Sequence, residues 1–148
     1  MPKPFAGDHS EVHAAWTGGV TPAWYDRTYR LKHLGEYTSS NYDFFVQSSV
    51  SNRLSAFTFT LHRDAEVVVI SEDAGPPSLS GWSTCTSPIT YDLWGHAAYS
   101  ASTDYSMDWC RKKDFTGDAT VSVPGSNGKK LAFVKYKDAP TAGLALTP

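Results

Sequence analysis

The stretch Ser55-Ala56-Phe57-Thr58-Phe59-Thr60-Leu61-His62-Arg63-Asp64-Ala65-Glu66-Val67-Val68-Val69-Ile70 decides the fold class of this chain. In its first half, from Ser55 to Leu61, apolar residues alternate with threonines, which predicts a strand with one buried face. The β-branched run from Glu66 to Ile70 is unbroken, which is typical of a strand covered on both faces. The turn residues Asp64-Ala65 between them predict that the two strands form a hairpin.

Further strands are predicted on both sides of this stretch. They span Arg27 to Leu34, Tyr42 to Val46, Met107 to Lys113, Ala119 to Val123 and Leu131 to Tyr136. The segment from Pro124 to Gly128 is rich in turn formers and separates the last two strands. No segment of helical length keeps a 3.6-residue apolar period with a cap at each end. Short strands separated by turns predict an all-β fold, a β-sandwich or jelly roll.

The length of 148 residues suits one domain. We expect a single β-sandwich over 1–148, in which 1–23 is a loop-like lead-in and 138–148 a flexible tail. With 41% hydrophobic and 19% charged residues, the chain is neither a disordered tail nor a membrane span. A net charge of −2 argues against a nucleic-acid partner. The first residues lack the apolar stretch of a secretory signal, so the chain is either cytoplasmic or a mature or excised piece of an exported protein.

Cys85 and Cys110 are the two cysteines of the chain. Three arrangements fit them: a disulfide bond, two buried thiols, or a partial metal site completed by His96. A disulfide would stabilise the fold by roughly 3–4 kcal/mol in the chain-entropy model and would place the protein in an oxidising compartment. One histidine between two distant cysteines matches no zinc-ligand spacing.

Aromatic side chains in loops are the candidate binding residues. Aromatic residues make up 14% of the chain, and several lie among turn formers between Ser71 and Thr103, a loop long enough to indicate a function. Trp94 is the best candidate, because Gly95 beside it leaves room for a ligand. We predict a ligand-binding platform made of Trp94, His96, Tyr91, Asp92, Trp24, Trp82 and Arg27.

Other aromatic side chains are assigned to the core. Phe57, Phe59, Phe115 and Phe133 alternate with polar neighbours, and Trp109 is expected to pack against a disulfide at Cys110. Strand alternation places Lys112 on the face opposite Arg111 and Lys113. A basic run such as Arg111-Lys112-Lys113 usually marks a solvated face, but if the ligand is a uronate polymer these residues, at most two of them on one face, could contact its carboxylates.

No catalytic residue is predicted. The sequence contains no nucleophile elbow, zinc-protease pair, P-loop or dinucleotide fingerprint, and most aspartates lie in turns, where they cap the backbone. No cofactor is required by these patterns. A structural calcium ion is a possible exception, because hard oxygen ligands are available from Asp104, Asp108, Asp114 and Asp118.

The segment from Phe57 to Ile70 resembles the apolar strand, Asp-Ala turn and valine-rich strand of galactose-binding-like β-sandwich modules of secreted polysaccharide lyases and glycosidases. The prolines and tryptophan of the next loop, and a Lys-x-Phe-x-Gly strand, have counterparts here in Pro76-Pro77, Gly81-Trp82 and Lys113-Asp114-Phe115-Thr116-Gly117. Tyr25 to Tyr29 resembles the first strand of the family. The resemblance covers residues 24 to about 136, although the loop from Cys85 to Asp104 is longer than in the family.

This resemblance implies a secreted, non-catalytic carbohydrate-binding module that is tethered to a catalytic domain and holds it on a polysaccharide. Loop aromatics also favour this function, since sugars stack their C–H faces on aromatic rings while their hydroxyls bond to polar side chains. Two alternatives remain open. One is a small β-sandwich lyase or hydrolase with His96 or a tyrosine as the base. The other is a lectin-like or self-associating surface protein, in which the aromatic loops form a subunit contact.

Overall fold

A computed structural model describes residues 5–6, 10–13, 30–48, 56–73, 75–93, 96–126 and 128–137. Within these ranges the fold is all-β, without a helix, as the sequence predicts. The strands are β1 (Phe5–Ala6), β2 (Ser10–His13), β3 (Arg30–Lys32), β4 (Phe44–Ser48), β5 (Phe57–Leu61), β6 (Ala65–Ser71), β7 (Ser83–Thr84), β8 (Thr90–Asp92), β9 (Tyr105–Ser106), β10 (Trp109–Phe115), β11 (Ala119–Val123) and β12 (Lys130–Tyr136).

The strands form three antiparallel sheets around two apolar cores. Sheet A has the order β1-β5-β11, sheet B the order β2-β4-β12-β6-β10-β7, and sheet C the order β3-β8-β9. Sheet B lies in the middle, with sheet A packed on one face and sheet C on the other. The predicted β-sandwich is confirmed, with one sheet shared between two cores. The jelly-roll topology stays a prediction.

The valine-rich strand β6 is buried on both faces, as the unbroken apolar run predicts. Val67 and Val69 belong to the core against sheet A, whereas Val68 and Ile70 belong to the core against sheet C. The neighbouring strand β12 alternates in the same way and presents Phe133 to sheet C. A strand between two cores needs apolar residues at successive positions, which explains the missing alternation.

The predicted hairpin of β5 and β6 is wrong. Strand β5 pairs with β1 and β11 in sheet A, whereas β6 pairs with β10 and β12 in sheet B. The connection His62-Arg63-Asp64 therefore carries the chain from one sheet to the other. It lacks the Asn-Gly or Asp-Gly pair that favours a tight hairpin turn. Crossing between sheets lets the apolar face of β5 cover Val67 and Val69 instead of lying beside them.

A second crossing lies against the first. Residues 116–118 connect β10 of sheet B to β11 of sheet A, and the backbone N–H of Gly117 donates a hydrogen bond to Asp64 Oδ1 at 2.8 Å. A Cβ atom on Gly117 would lie 3.1 Å from the Cα of Arg63, which is tight for a side chain. The two crossings therefore depend on close backbone contact at one end of the sandwich.

Cys85 and Cys110 form a disulfide bond, with their Cα atoms 5.0 Å apart. The bond excludes the alternatives of two buried thiols and of a partial metal site with His96. It ties the residue that follows β7 to the second residue of β10, next to the backbone hydrogen bond from Cys85 N to Cys110 O. The short outer strand β7 is thus fixed to sheet B by the disulfide bond as well as by its backbone pairing with β10.

Short strands occupy two segments that the sequence assigns to loops. Strands β1 and β2 lie within the predicted lead-in at 1–23, while β7 and β8 interrupt the predicted loop from Ser71 to Thr103. These strands are two to four residues long, too short for a periodic pattern to register. The predicted tail at 138–148 lies outside the described residues. None of the described residues belongs to a helix that could cross a membrane.

Candidate functional site

The predicted loop platform is only partly described by the structure. Trp94, Trp24 and Arg27 lie outside the described residues. His96 is exposed at the start of a bend, where its Nδ1 accepts a hydrogen bond from the backbone N–H of Ala98 at 3.0 Å. The structure therefore presents the imidazole to solvent.

Tyr91 and Asp92 are buried in the strand β8. The Tyr91 ring stacks on Tyr105, with 5.4 Å between ring centroids, and its hydroxyl donates to Glu72 Oε2 at 2.7 Å. Asp92 is 1% exposed and lies 3.8 Å from the Lys32 ammonium. Both side chains thus contribute to the interior around sheet C. Tyr105, at the edge of that sheet, keeps 38% of its surface exposed.

Trp82 lies on the side of sheet B that faces sheet A, whereas Tyr91 belongs to the core on the side of sheet C. Trp82 comes directly before β7, and its ring makes an edge contact with Phe115 at 5.6 Å between centroids. Both rings are part-buried against the core between sheets A and B. Because β7 pairs with β10, Trp82 is held beside the side chains of β10.

Every second side chain of β10 points to this face of sheet B, namely Trp109, Arg111, Lys113 and Phe115. We name these four side chains, together with Trp82, the β10 ladder. The Arg111 guanidinium carbon lies 4.5 Å from the centroid of Trp109, and the Lys113 ammonium lies 5.3 Å from that of Phe115. Each cation is thus seated on an aromatic ring, an arrangement that contributes about 0.5–1 kcal/mol at exposed sites. From Trp109 to Phe115 the ladder extends for about 20 Å.

The position of Trp109 corrects a prediction from the sequence. Trp109 is on the sheet A side of β10, whereas Cys110 and the disulfide lie in the core on the sheet C side. Consecutive residues of a strand point to opposite faces, so Trp109 cannot pack against a bridge formed by Cys110. The register of β10 with β6 confirms that Lys112 points to the face opposite Arg111 and Lys113. Applying that alternation to Trp109 as well would have placed Trp109, Arg111 and Lys113 on one face of the strand.

A pocket of about 230 Å³ lies on the opposite face of β10. Its lining includes the side chains of Glu36, Glu66 and Lys112. Tyr37 also lines it and donates its hydroxyl to the Thr86 carbonyl at 2.8 Å. Burial, and secondarily the charges of Glu36 and Glu66, raises the pKa of Tyr37 to about 12, so this phenol stays protonated at neutral pH. Two carboxylates beside a phenol make this pocket a second polar site, which the sequence did not indicate.

Two of the aspartates considered as calcium ligands are engaged with cations. Asp104 accepts from Lys32 Nζ at 3.0 Å and lies 3.0 Å from His33 Nε2; the bond from Lys32 is the main reason its pKa is lowered. Asp114 forms an ion pair with Lys137 at 2.8 Å. Among the described residues, no three His, Cys, Asp or Glu side chains are grouped to hold a metal ion. Calcium binding stays a prediction.

Comparison with protein-family models, with curated proteins and with solved structures finds no match to this chain. The resemblance to galactose-binding-like modules therefore stays a prediction, and the case for a function depends on the geometry of the described residues.

Proposed function

We propose that this chain is a secreted, non-catalytic carbohydrate-binding module that holds a polysaccharide-degrading enzyme on its polymer. The observation that carries the proposal is the β10 ladder, in which Arg111 and Lys113 lie between the part-buried rings of Trp109 and Phe115, and the ring of Trp82 contacts Phe115. Aromatic rings stack on the C–H faces of sugars, and polar groups beside them bond to hydroxyls. The disulfide supports secretion, because such bonds persist in oxidising compartments.

The expected affinity is modest. One ring stacked on one sugar contributes about 1 kcal/mol, by analogy with aromatic pairs. Two or three rings with a few hydrogen bonds give a dissociation constant of roughly micromolar to millimolar. Such a weak site suits a module tethered to an enzyme, because tethering raises the effective concentration of the polymer.

Affinity electrophoresis in gels containing soluble polysaccharides tests the proposal. We expect Trp109→Leu and Trp82→Ala each to reduce retention at least fivefold, since either change removes a flat stacking surface worth about 1 kcal/mol. Leucine at 109 keeps apolar packing against the core, so loss of retention without loss of thermal stability identifies the ring itself. Tyr105→Ala is the matched control, because it removes an exposed ring outside the ladder.

The same gels distinguish the ladder from the loop platform and from the alternatives. Loss of retention in Trp94→Ala or His96→Ala, with the ladder variants unchanged, would move the site to the loop. New reducing or unsaturated ends would instead indicate catalysis, for which the pocket with Glu36 and Glu66 is the place to test. Self-association in sedimentation runs without sugar, abolished by Trp109→Leu, would make the ladder a subunit contact.

A further inference from the structure

We infer that the polymer bound by the β10 ladder is an anionic polysaccharide, whose carboxylate or sulfate groups contact Arg111 and Lys113. The inference rests on the proposed function, since it specifies the chemical class of the ligand at that site.

Neither cation of the ladder has a carboxylate partner among the described residues. Arg111 contacts the Trp109 ring and the Cys110 carbonyl, and Lys113 contacts the Phe115 ring. Other lysines of the same structure are paired, as in the ion pair between Lys137 and Asp114 at 2.8 Å. The ladder therefore holds two positive charges that no described side chain neutralises.

Strand alternation separates the charges of sheet B by face. Glu66, Lys112 and Asp114 share the face toward sheet C, because Glu66 is paired with Asp114 in the register of β6 and β10. Arg111 and Lys113 are on the face toward sheet A, whose strands β5 and β11 contain no charged residue. Among the described residues of β5, β10 and β11, the ladder face thus has two positive charges and no carboxylate.

The Arg111 side chain is held in a defined orientation. Its guanidinium carbon lies 4.5 Å from the Trp109 centroid, and Nη1 donates to the Cys110 carbonyl at 2.8 Å. A planar guanidinium matches a carboxylate or sulfate through paired N–H donors. Lys113 is on the same face, about 7 Å further along the strand. An acidic substituent on a sugar packed beside these rings could contact a cation, whereas a neutral sugar would leave both cations without an anionic partner.

Paired polymers of different charge test this inference. We compare the retention of the wild-type chain and of the double variant Arg111→Gln/Lys113→Gln on dextran, dextran sulfate and polygalacturonate. Retention of the wild type on the acidic polymers is expected to exceed that of the variant roughly tenfold at low salt, because two exposed charge contacts are lost. The difference should shrink in 0.5 M NaCl, where exposed charges are screened. The two acidic polymers distinguish sulfate from carboxylate recognition.

Lys112→Gln is the matched control, since it removes the same charge from the neighbouring residue on the opposite face of β10. Retention on acidic polymers should be unchanged in this variant. Equal retention of wild type and double variant, or equal losses from Lys112→Gln, would overturn the inference while leaving carbohydrate binding intact. No retention of the wild type on any of the three polymers, or on other neutral polysaccharides, would overturn the proposed function instead. Tighter binding to a single-stranded oligonucleotide than to either acidic polymer would overturn both.

Discussion

Lys130 is a charged side chain in an almost closed environment. It is 3% exposed, and its Nζ donates to the Gly128 carbonyl at 2.9 Å. Burial lowers the pKa of Lys130 from 10.5 to about 8, although the Glu72 carboxylate acts in the opposite direction. The sequence shows only two adjacent lysines at 129 and 130 and gives no reason to expect either to be buried. Its burial follows from the contact between the segment preceding β12 and the end of β6.

Lys130 should give the stability of this protein an unusual pH dependence. Between pH 8 and about 10 the unfolded chain holds a proton at this lysine that the folded chain has released. The free energy of unfolding should therefore rise with pH, by roughly 2 kcal/mol. Above pH 10 the raised pKa of Tyr37 has the opposite effect on stability. The Tyr37 phenol ionises at a lower pH in the unfolded chain than in the folded chain, so the free energy of unfolding falls as the pH rises. Urea titrations of the wild type across pH 7–11 measure both effects.

The variant Lys130→Met tests whether Lys130 causes the rise in the free energy of unfolding between pH 8 and 10. This variant keeps a long apolar side chain and removes the titrating group, so its free energy of unfolding should be nearly level between pH 8 and 10. A rise of equal size in wild type and variant would show that another group is responsible.

At the scale of elements, the sequence predicted most strands but not how they are connected. The bounds of β11 were predicted without error, and those of β6 and β12 to within one residue, because alternation and β-branched runs are local signals. The partners of β5 were not predictable from the turn at Asp64 alone. A short connection permits either a hairpin or a crossing between sheets, and the choice depends on which apolar face must be covered.

The contact between the two crossings predicts the effect of a substitution at Asp64. Its Oδ1 accepts the hydrogen bond from Gly117 N, and its carbonyl accepts one from Lys137 N at 3.0 Å. Asp64→Ala removes the first bond and should lower the free energy of unfolding by about 1 kcal/mol, the usual value of one hydrogen bond. Denaturant titration at neutral pH measures it. Asp64→Asn keeps an acceptor and should stay close to wild type; equal losses in both variants would exclude this bond as the cause.

At the scale of the whole molecule, the disulfide limits the freedom of the unfolded chain. It joins residues 25 positions apart, and in the chain-entropy model a loop of that length is worth about 3.5 kcal/mol. We expect Cys85→Ala/Cys110→Ala to lower the free energy of unfolding by about that amount, measured by denaturant titration. Reduction of the wild type should have a similar effect and should leave the double variant unchanged. A stability that is insensitive to both treatments would contradict this contribution.

The all-β class, the main strands and the double burial of β6 follow from the amino-acid sequence alone, because each depends on a pattern within a few consecutive residues. The shared face of Arg111 and Lys113 also follows from it, since alternation along a strand is fixed by backbone geometry. The contact of Trp82 with Phe115, the bond between Cys85 and Cys110, and the sharing of sheet B between two cores depend on long-range packing. These contacts join residues distant in the chain, and they form where apolar faces cover one another, which no local pattern encodes.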